Sequence, residues 1–256
     1  MEEKVMVSSD LRRKQQIRLL KDNNSVLILI LILAAAFIFI PNYSKGFYNV
    51  INYVAMYGPV CLGLGLVMIT GNIDLSVGFQ AEDTDTIRLI AKTQIGGMRW
   101  LTPTAIIFLV LVVLVFLWMY KTRFGNRLHV VGDNPEAASF AGIRVPRTVW
   151  ATYVLCGVLA AVTGFFMVSN AGYAVYNQGN SLSTLPISCC VIGGIKMAGG
   201  KGTAVHILLG VLIMRVISQM MAAKFLGTEW VNMITGILLI VVLIIDRFTS
   251  TKNADE

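Results

Sequence analysis

Two short groups of polar residues interrupt the apolar segments of this sequence, and both have the chemistry to bind a solute by hydrogen bonding. The first group combines an amide, a carboxylate and a hydroxyl, and the second combines amides with phenols. Such side chains donate and accept hydrogen bonds, and phenol rings add apolar contact. An equally good interpretation is that they merely occupy the edge of a membrane and satisfy backbone groups. The two groups are Asn72, Asp74 and Ser76, and Asn170, Tyr173, Tyr176, Asn177 and Gln178.

Asp74 is the acid of the first group and stands within a glycine-bracketed polar step, Gly71 to Gly78, after a long apolar run. An ionisable residue at membrane depth is costly and commonly marks a functional site. Asp74 is also a good N-cap for a helix that begins at Leu75. Capping is the favoured interpretation, and a functional acid is the alternative.

Residues for covalent catalysis or for metal binding are not arranged in any recognisable set. The sequence has neither a His-Glu-x-x-His nor a Gly-x-Ser-x-Gly step, and the two histidines, His129 and His206, are far apart. The cysteines lie inside apolar runs, as small core residues do. They are Cys61, Cys156, Cys189 and Cys190. We therefore expect no enzyme and no metal site.

The glycine-rich stretch from Gly193 to Thr203 resembles a phosphate-binding loop but lacks its spacing. A Walker loop ends in Gly-Lys followed by Ser or Thr, whereas Lys201 is followed by Gly202. The stretch is better interpreted as a tight turn between spans, with Lys196 and Lys201 at the cytoplasmic face. We expect this chain to bind no cofactor of its own.

Composition predicts a membrane protein. Apolar residues make up 56% of the chain, charged residues only 14%, and the mean hydropathy is +0.72. The net charge of +7 comes from clusters at the ends of apolar runs, where the positive-inside rule and anionic lipid explain them. Nucleic-acid binding is therefore not expected.

Seven apolar segments predict an all-α polytopic fold with one transmembrane domain over residues 26–247. Residues 1–25 form a basic cytoplasmic tail before an uncleaved first span, for which a cleaved signal peptide is the competing interpretation. Residues 248–256 form a second cytoplasmic tail. The small residues Gly157/Ala161 and Ala160/Gly164 predict close helix contacts. The segments are Val26 to Ile40, Phe47 to Thr70 with an interruption at Gly58-Pro59, Thr104 to Tyr120, Val149 to Ser169, Leu185 to Ala198, Thr203 to Ala223 and Val231 to Ile245.

A basic loop, residues 121–147, carries five Lys and Arg residues between two apolar segments and is therefore predicted to be cytoplasmic. Within it, Asn134, Pro135 and Glu136 have the order of a helix start: a capping Asn, a first-turn Pro, and a Glu near the positive end of the helix dipole. This pattern predicts a short helix at the membrane surface that contacts a partner.

Three ordered blocks resemble those of permease subunits of the ribose/xylose/arabinose/galactose class of bacterial ABC importers. Gly71 to Gly78 is similar to the family's Gly-Gly-Ile-Asp-Leu-Ser-Val-Gly, with Asn72 replacing a glycine. Gly132 to Ala138 is similar to Gly-Gly-Asn-Pro-Glu-Ala-Ala, with Asp133 in place of the second glycine. The remaining matches are Thr122 to Gly125, Gly142-Ile143, and the third block, Val191 to Gly202.

The resemblance implies a helical translocation subunit that imports a monosaccharide of the ribose type. The implied partners are a second permease copy (the same chain or a different one), cytoplasmic ATPase subunits that hold ATP and Mg, and an extracellular sugar-binding protein. It also implies a coupling helix that seats in a cleft of the ATPase. The matching positions here are Asn134, Pro135, Glu136, Ala137, Ala138 and Gly142.

Length is the main departure from the family. Its members carry more spans before the coupling loop, whereas here three apolar segments precede it and the charged residues 80–100 follow Gly78. With the first tail inside, three crossings would place the basic loop outside, against the positive-inside rule. An even number of crossings, a re-entrant segment near residues 47–78, or an external N-terminus would resolve this conflict. An internally deleted, non-transporting or modulatory permease remnant is therefore the alternative function.

Overall fold

The computed structural model describes residues 43–74, 102–171 and 184–223, and the single positions 179, 182, 230, 233, 236, 237, 240 and 244. The predicted first span, the charged residues 80–100 and both predicted tails lie outside these residues. The described chain contains seven helices and no strand. The helices are α1 (Tyr43–Ile69), α2 (Pro103–Lys121), α3 (Arg123–Asp133), α4 (Pro135–Phe140), α5 (Val145–Ala171), α6 (Leu185–Gly193) and α7 (Ala204–Ala223).

Four of these helices, α1, α2, α5 and α7, are long and apolar enough to cross a membrane. They differ in burial, because α1 is mostly enclosed by its neighbours while α2 directs Leu109, Val110 and Leu114 outward. Outward apolar side chains on a spanning helix face lipid, which is as apolar as they are. The all-α membrane architecture predicted from composition is confirmed.

Helix α1 continues through the predicted interruption at Gly58-Pro59. Proline lacks a backbone donor and disturbs the helical hydrogen bonds around it. Next to it, the Val60 amide donates to Thr163 Oγ1 on α5 at 2.9 Å, within the buried core. Backbone groups inside a membrane must find such partners because lipid offers none. The proline site thus fastens α1 to α5.

Helices α1 and α2 run in the same direction, because Ile69 at the end of α1 lies against Gly132 of α3 and Met119 near the end of α2 lies against Gly125 of α3. Gly58 on α1 lies so close to the ring of Phe108 on α2 that a side chain at Gly58 would overlap it. Helix α5 runs the opposite way, because Val60 and then Gly63 meet Thr163 and then Cys156. We call the end of the bundle that holds the last residues of α1 and α2 the loop face.

Because α1 and α2 are parallel, the conflict between three crossings and a cytoplasmic basic loop no longer follows. The count of three crossings assumed that α1 and α2 cross the membrane one after the other in opposite directions. In the structure both helices end at the loop face. The chain leaves α1 at the loop face and enters α2 from the opposite face. The residues between the two helices, 75–101, lie outside the described residues.

The predicted span from Leu185 to Ala198 is wrong. Helix α6 ends at Gly193 after nine residues, a length of about 14 Å against about 30 Å of hydrocarbon. Gly194 terminates it in the left-handed conformation at φ 100°, and the Ile195 amide donates back to the Cys190 carbonyl at 3.0 Å. Apolar residues continue past this turn, so hydropathy alone placed the end of the helix too late.

Glycines draw α6 and α7 together at positions that differ from those predicted. A side chain at Gly193 would overlap the His206 carbonyl, and one at Gly210 would overlap the Cys189 carbonyl. Lipid is as apolar as the helices, so burial of apolar surface does not hold them together. Close packing of the two backbones supplies van der Waals contact instead. The predicted contact at Gly157 is wrong, because a side chain there would meet nothing within 4 Å.

Candidate functional site

A threonine turn connects α2 to α3 at the loop face. Thr122 Oγ1 donates to the Trp118 carbonyl at 2.5 Å and accepts from the Gly125 amide at 3.4 Å. Helix α3 then buries Leu128, Val131 and Gly132 while its other side stays exposed. An amphipathic helix of this kind lies across the end of the bundle with its apolar side inward.

Helix α4 is capped at its beginning as the sequence predicts. The Asn134 side-chain oxygen accepts from the Ala137 amide at 2.9 Å, Pro135 occupies the first turn, and Glu136 lies beside it. The cap satisfies an amide that would otherwise lack a partner, and it stabilises such helices by about 1 kcal/mol. The local part of the prediction is confirmed.

The end of α4 is closed by Gly142, whose φ is 80°. The Gly142 amide donates to the Ser139 carbonyl and the Ile143 amide donates to the Ala138 carbonyl, each at 3.0 Å. This pair of bonds is a Schellman motif, which needs a residue in the left-handed conformation and therefore favours glycine. Ala138 is fully buried while Phe140 is 86% exposed. Helix α4 is thus a preformed element with an apolar side chain facing outward.

A basic recess of about 350 Å³ opens beside α4. Its lining combines three arginines with one aromatic ring, and two of these arginines lie just before and within the first turn of α5. Guanidinium groups bind carboxylates through paired hydrogen bonds, so the recess suits acidic side chains of a partner. The lining residues are Phe124, Arg127, Gly142, Arg144, Arg147 and Thr148.

Four glycines, Gly71, Gly132, Gly199 and Gly200, meet beneath α3, and we call this contact the glycine junction. The Gly200 amide donates to the carbonyl of Ile69, the last residue of α1, at 2.9 Å. A side chain at Gly132 would overlap that same carbonyl, and one at Gly199 would crowd Gly71 and Gly132. The backbones of three distant chain segments therefore touch.

The glycine junction brings together the three sequence blocks described above, since each block contributes at least one of its glycines. Gly71, Gly199 and Gly200 have φ between 76° and 88°, values that L side chains rarely adopt. His129 Nδ1 lies 3.0 Å from the Gly200 carbonyl and adds a side-chain bond. Sequence reasoning did not place these residues in one site. The sequence feature that could have indicated this site was a glycine near the start or end of each block.

The first polar group lies at the end of α1. The Asn72 amide group donates to the Thr70 carbonyl and hydroxyl, both at 3.2 Å, and so stabilises the turn after α1. Asp74 lies against α5 within hydrogen-bonding reach of Cys156. The Tyr153 hydroxyl donates to the Ile73 carbonyl at 3.5 Å. Ser76, and with it the predicted cap at Leu75, lies outside the described residues.

The second polar group is represented in the described residues by Asn170, which is half-buried near the end of α5. The structure does not bring it near the first group. Asp74 lies beside Cys156, which precedes Asn170 on α5 by about 21 Å along the helix axis. The other predicted members, Tyr173, Tyr176, Asn177 and Gln178, lie outside the described residues.

Sequence reasoning missed one polar residue inside the bundle, Arg215 on α7. Its guanidinium carbon lies 4.4 Å from the centre of the Tyr53 ring on α1. Its Nη2 donates to Gln219 Oε1, one turn along α7, at 3.0 Å. The signal was an arginine within a run of apolar residues, which a count of hydropathy over the whole segment averages away.

Comparison with known proteins assigns the class of this molecule. Residues 79–243 match the family described as the permease component of branched-chain amino acid transport systems. The matched range contains the second and third blocks and begins directly after the first. The chain belongs to this family and is a multi-pass protein of the bacterial cytoplasmic membrane.

Individual relatives agree with the resemblance drawn from the three blocks. The galactose/methyl galactoside import permease protein MglC of Haemophilus influenzae is 34% identical over 140 residues, 55% of this chain and 42% of the relative. The fructose import permease protein FrcC of Rhizobium meliloti is 28% identical over 197 residues, which are 74% of this chain and 54% of the relative. The xylose transport system permease protein XylH of Escherichia coli is 32% identical over 164 residues, which are 61% of this chain and 42% of the relative.

The matches span about half the length of these curated relatives, 42% to 54%. No solved structure matches the chain with significance. The internal deletion expected from the sequence stays a prediction.

Proposed function

We propose that this chain is the membrane-spanning permease subunit of an ATP-driven importer of a monosaccharide. The family match and the sugars named for the three relatives, galactose, fructose and xylose, support this class of solute. A ribose-type sugar is the narrower form of the proposal. The observation that carries it is α4, a helix capped at both ends and exposed beside the basic recess.

The loop face is the cytoplasmic face in this proposal. Lys121, Arg123, Arg127, Arg144 and Arg147 all belong to the α2 to α5 connection, and such basic connections stay on the cytoplasmic side. ATP is available on that side only. The sugar-binding protein then docks at the opposite face, where α2 begins and α5 ends.

Docking of the ATPase uses α4 and the basic recess together. Phe140 supplies an apolar anchor that is 86% exposed, and the arginines of the recess pair with carboxylates at the rim of the ATPase cleft. Asn134, Pro135, Glu136 and Ala137 are the exposed first turn of the helix. ATP and Mg are bound and hydrolysed by the partner, and this chain makes and breaks no covalent bond.

Movement passes from α4 into the membrane through the glycine junction. Helix α3 precedes α4 directly, and its Gly132 touches the end of α1 and the Gly199-Gly200 turn that leads to α7. Contacts between backbones leave no side chain to absorb a displacement. Closure of the ATPase therefore shifts α1 and α7 together, which alternates access to a path between this chain and a second permease copy.

The polar groups found from the sequence belong to that path in the proposal. Asp74 lies against α5 at membrane depth, where an acid suits hydrogen bonding to sugar hydroxyls. Asn170, with Tyr173, Tyr176, Asn177 and Gln178, would contact the solute nearer the opposite face. Asn72 is the weakest member, because its amide already bonds to Thr70.

Co-purification of the cognate ATPase with this chain tests the proposal directly. Capture in detergent is measured for the original chain, for Arg147→Glu in the basic recess, and for Arg147→Lys as the matched control. The proposal expects capture by the original and the control, and loss in the charge-reversed variant. Absence of capture by a properly folded original chain would contradict it.

A second candidate, an internally deleted remnant that modulates other subunits, is favoured by the matches covering only 42% to 54% of the relatives. A remnant would bind the ATPase without passing on a solute signal. Solute-dependent stimulation of ATPase activity in a reconstituted complex separates the two. Sugar import at a rate comparable to that of a full-length relative would eliminate the remnant.

A further inference from the structure

Arg215 places a permanent positive charge in the middle of a membrane-spanning helix. It lies on α7 (Ala204–Ala223), about 16 Å from the first residue and about 12 Å from the last. A charge at this depth costs several kcal/mol unless it faces a polar cavity or a partner. Such residues are therefore uncommon and usually have a function.

The contacts of Arg215 use only part of its bonding capacity. Tyr53 covers one face of the guanidinium at 4.4 Å, and Gln219 accepts one hydrogen bond at 3.0 Å. The Nε atom is buried and has no hydrogen-bond partner among the described residues. A guanidinium has five N–H donors directed from its edge. Gln219 accounts for one of these donors, so a ligand carboxylate would bond to others.

No carboxylate of the described chain balances this charge. The described acids are Asp74, Asp133 and Glu136, and all of them belong to the loop-face half of the bundle. The ionisable side chains that act on Arg215 are instead Tyr53 and Tyr57, which are neutral phenols at physiological pH. Among the described residues the guanidinium therefore lacks an anionic partner.

The side chains around Arg215 are polar and are not fully enclosed by the bundle. Arg215, Gln219, Tyr53 and Tyr57 are all partly exposed, although they lie on spanning helices. The two tyrosine rings are 4.2 Å apart and form an aromatic surface next to the charge. A guanidinium, an amide and two phenols side by side are a poor match for lipid tails. They suit a hydrated solute with hydroxyls and an acidic group.

We propose that Arg215, Gln219 and Tyr53 form a solute-binding site at mid-membrane for an anionic sugar, a monosaccharide that carries a carboxylate. The edge of the guanidinium binds the carboxylate through paired hydrogen bonds. The amide of Gln219 donates to a neighbouring hydroxyl, and the tyrosine rings pack on the apolar face of the sugar. This inference rests on the proposed function and narrows its substrate to acidic sugars.

The competing role for Arg215 is that of a clamp that holds α1 to α7 through the Tyr53 ring. Contacts elsewhere already join these helices, since Gly65 on α1 packs against Ile207 on α7. A clamp would stabilise the fold, whereas a binding site keeps an unbalanced charge that destabilises it. The two roles therefore predict opposite effects of removing the charge.

Binding to matched pairs of sugars tests the site. The full chain in lipid nanodiscs is presented with galacturonate against galactose and with glucuronate against glucose, pairs that differ only in the carboxylate at C6. We expect the acid to bind roughly tenfold or more tightly than its neutral partner. Arg215→Met, which keeps an unbranched apolar stem without the charge, removes that preference, and Arg215→Lys keeps part of it. Equal binding within both pairs, or a preference that survives in Arg215→Met, overturns the proposal.

Thermal unfolding of the ligand-free variants supplies a second readout. The binding site predicts that Arg215→Met unfolds at the same temperature as the original chain or higher. A fall of several degrees together with a retained acid preference establishes the clamp instead. Neither measurement needs the ATPase, so failed capture of the ATPase contradicts the permease role while leaving the acid-binding result to stand or fall alone.

Discussion

The glycine junction and the Arg215 site both hold α1 to its neighbours, at different depths and in opposite ways. The junction joins α1 to α3 and to the turn that precedes α7, whereas Arg215 joins α1 to α7 itself. At the junction the contact is made by backbone atoms, because glycines leave no side chain between Ile69, Gly132 and Gly200. At mid-membrane the contact is made by the long side chains of Arg215 and Tyr53. The glycine junction is thus a contact between backbones, and the Arg215 site is a contact between side chains.

This difference separates two mechanical properties. A backbone contact has no rotamers, so it passes on a displacement and tolerates almost no substitution. A site built of side chains exchanges its chemistry without moving the helices that carry it. We infer that the glycine junction tolerates few substitutions, whereas the side chains around Arg215 can be exchanged with little displacement of the helices.

Substitution of Gly132 is expected to have the largest effect. Gly132→Ala places a methyl group on the Ile69 carbonyl, and the overlap between backbones should lower the free energy of unfolding by about 3 kcal/mol. Thermal unfolding in detergent measures this. Gly157→Ala is the matched control, since a side chain there meets nothing within 4 Å, and it should be neutral or stabilising by up to about 1 kcal/mol. Equal stability of the two variants would contradict the backbone contact.

An intermediate effect is expected from Thr163→Val, which changes a side chain in the membrane interior. The substitution keeps the shape but leaves the Val60 amide beside Pro59 without its partner. An unpaired buried donor should lower the free energy of unfolding by about 2 kcal/mol. The control is Thr152→Val on the same helix, whose hydroxyl donates only to the local Val149 carbonyl at 2.6 Å. A larger loss in the control would show that the bond between the helices is not what matters.

The smallest effect on stability is expected from Asn134→Ala, which removes the cap of α4. The loss should be about 1 kcal/mol, confined to this surface helix. Hydrogen exchange of the Ala137 amide, the group that bonds to Asn134 at 2.9 Å, should rise while global unfolding stays nearly unchanged. Ser139→Ala, an exposed position on the same helix, is the control. Unchanged exchange in Asn134→Ala would mean that the cap does not hold the helix.

Features that depend on neighbours in sequence were predictable. The order Asn134, Pro135, Glu136 predicts the start of α4, because a cap acts on amides two or three residues away. The run from Phe47 to Thr70 predicts α1 with its proline. The all-α membrane class followed from composition, which reports the solvent around the chain and not its packing.

Features that depend on distant residues were not predictable in the same way. The direction of α2 relative to α1 is visible only in the structure, where both helices end against α3. The glycines that touch other backbones, such as Gly132, look no different in sequence from Gly157, which touches none. Arg215 was overlooked for a related reason, since its meaning comes from Tyr53 on another helix.

The glycine junction also separates positions where a side chain has room from positions where it has none. Each of the first two blocks resembles a family motif that begins with two glycines, and this chain has replaced the second glycine both times, with Asn72 and with Asp133. In both blocks the glycine retained, Gly71 or Gly132, is the one inside the junction. Asn72 is half-buried and Asp133 is exposed, so both side chains have room. Both departures from the motif therefore fall beside a glycine of the junction and not on one.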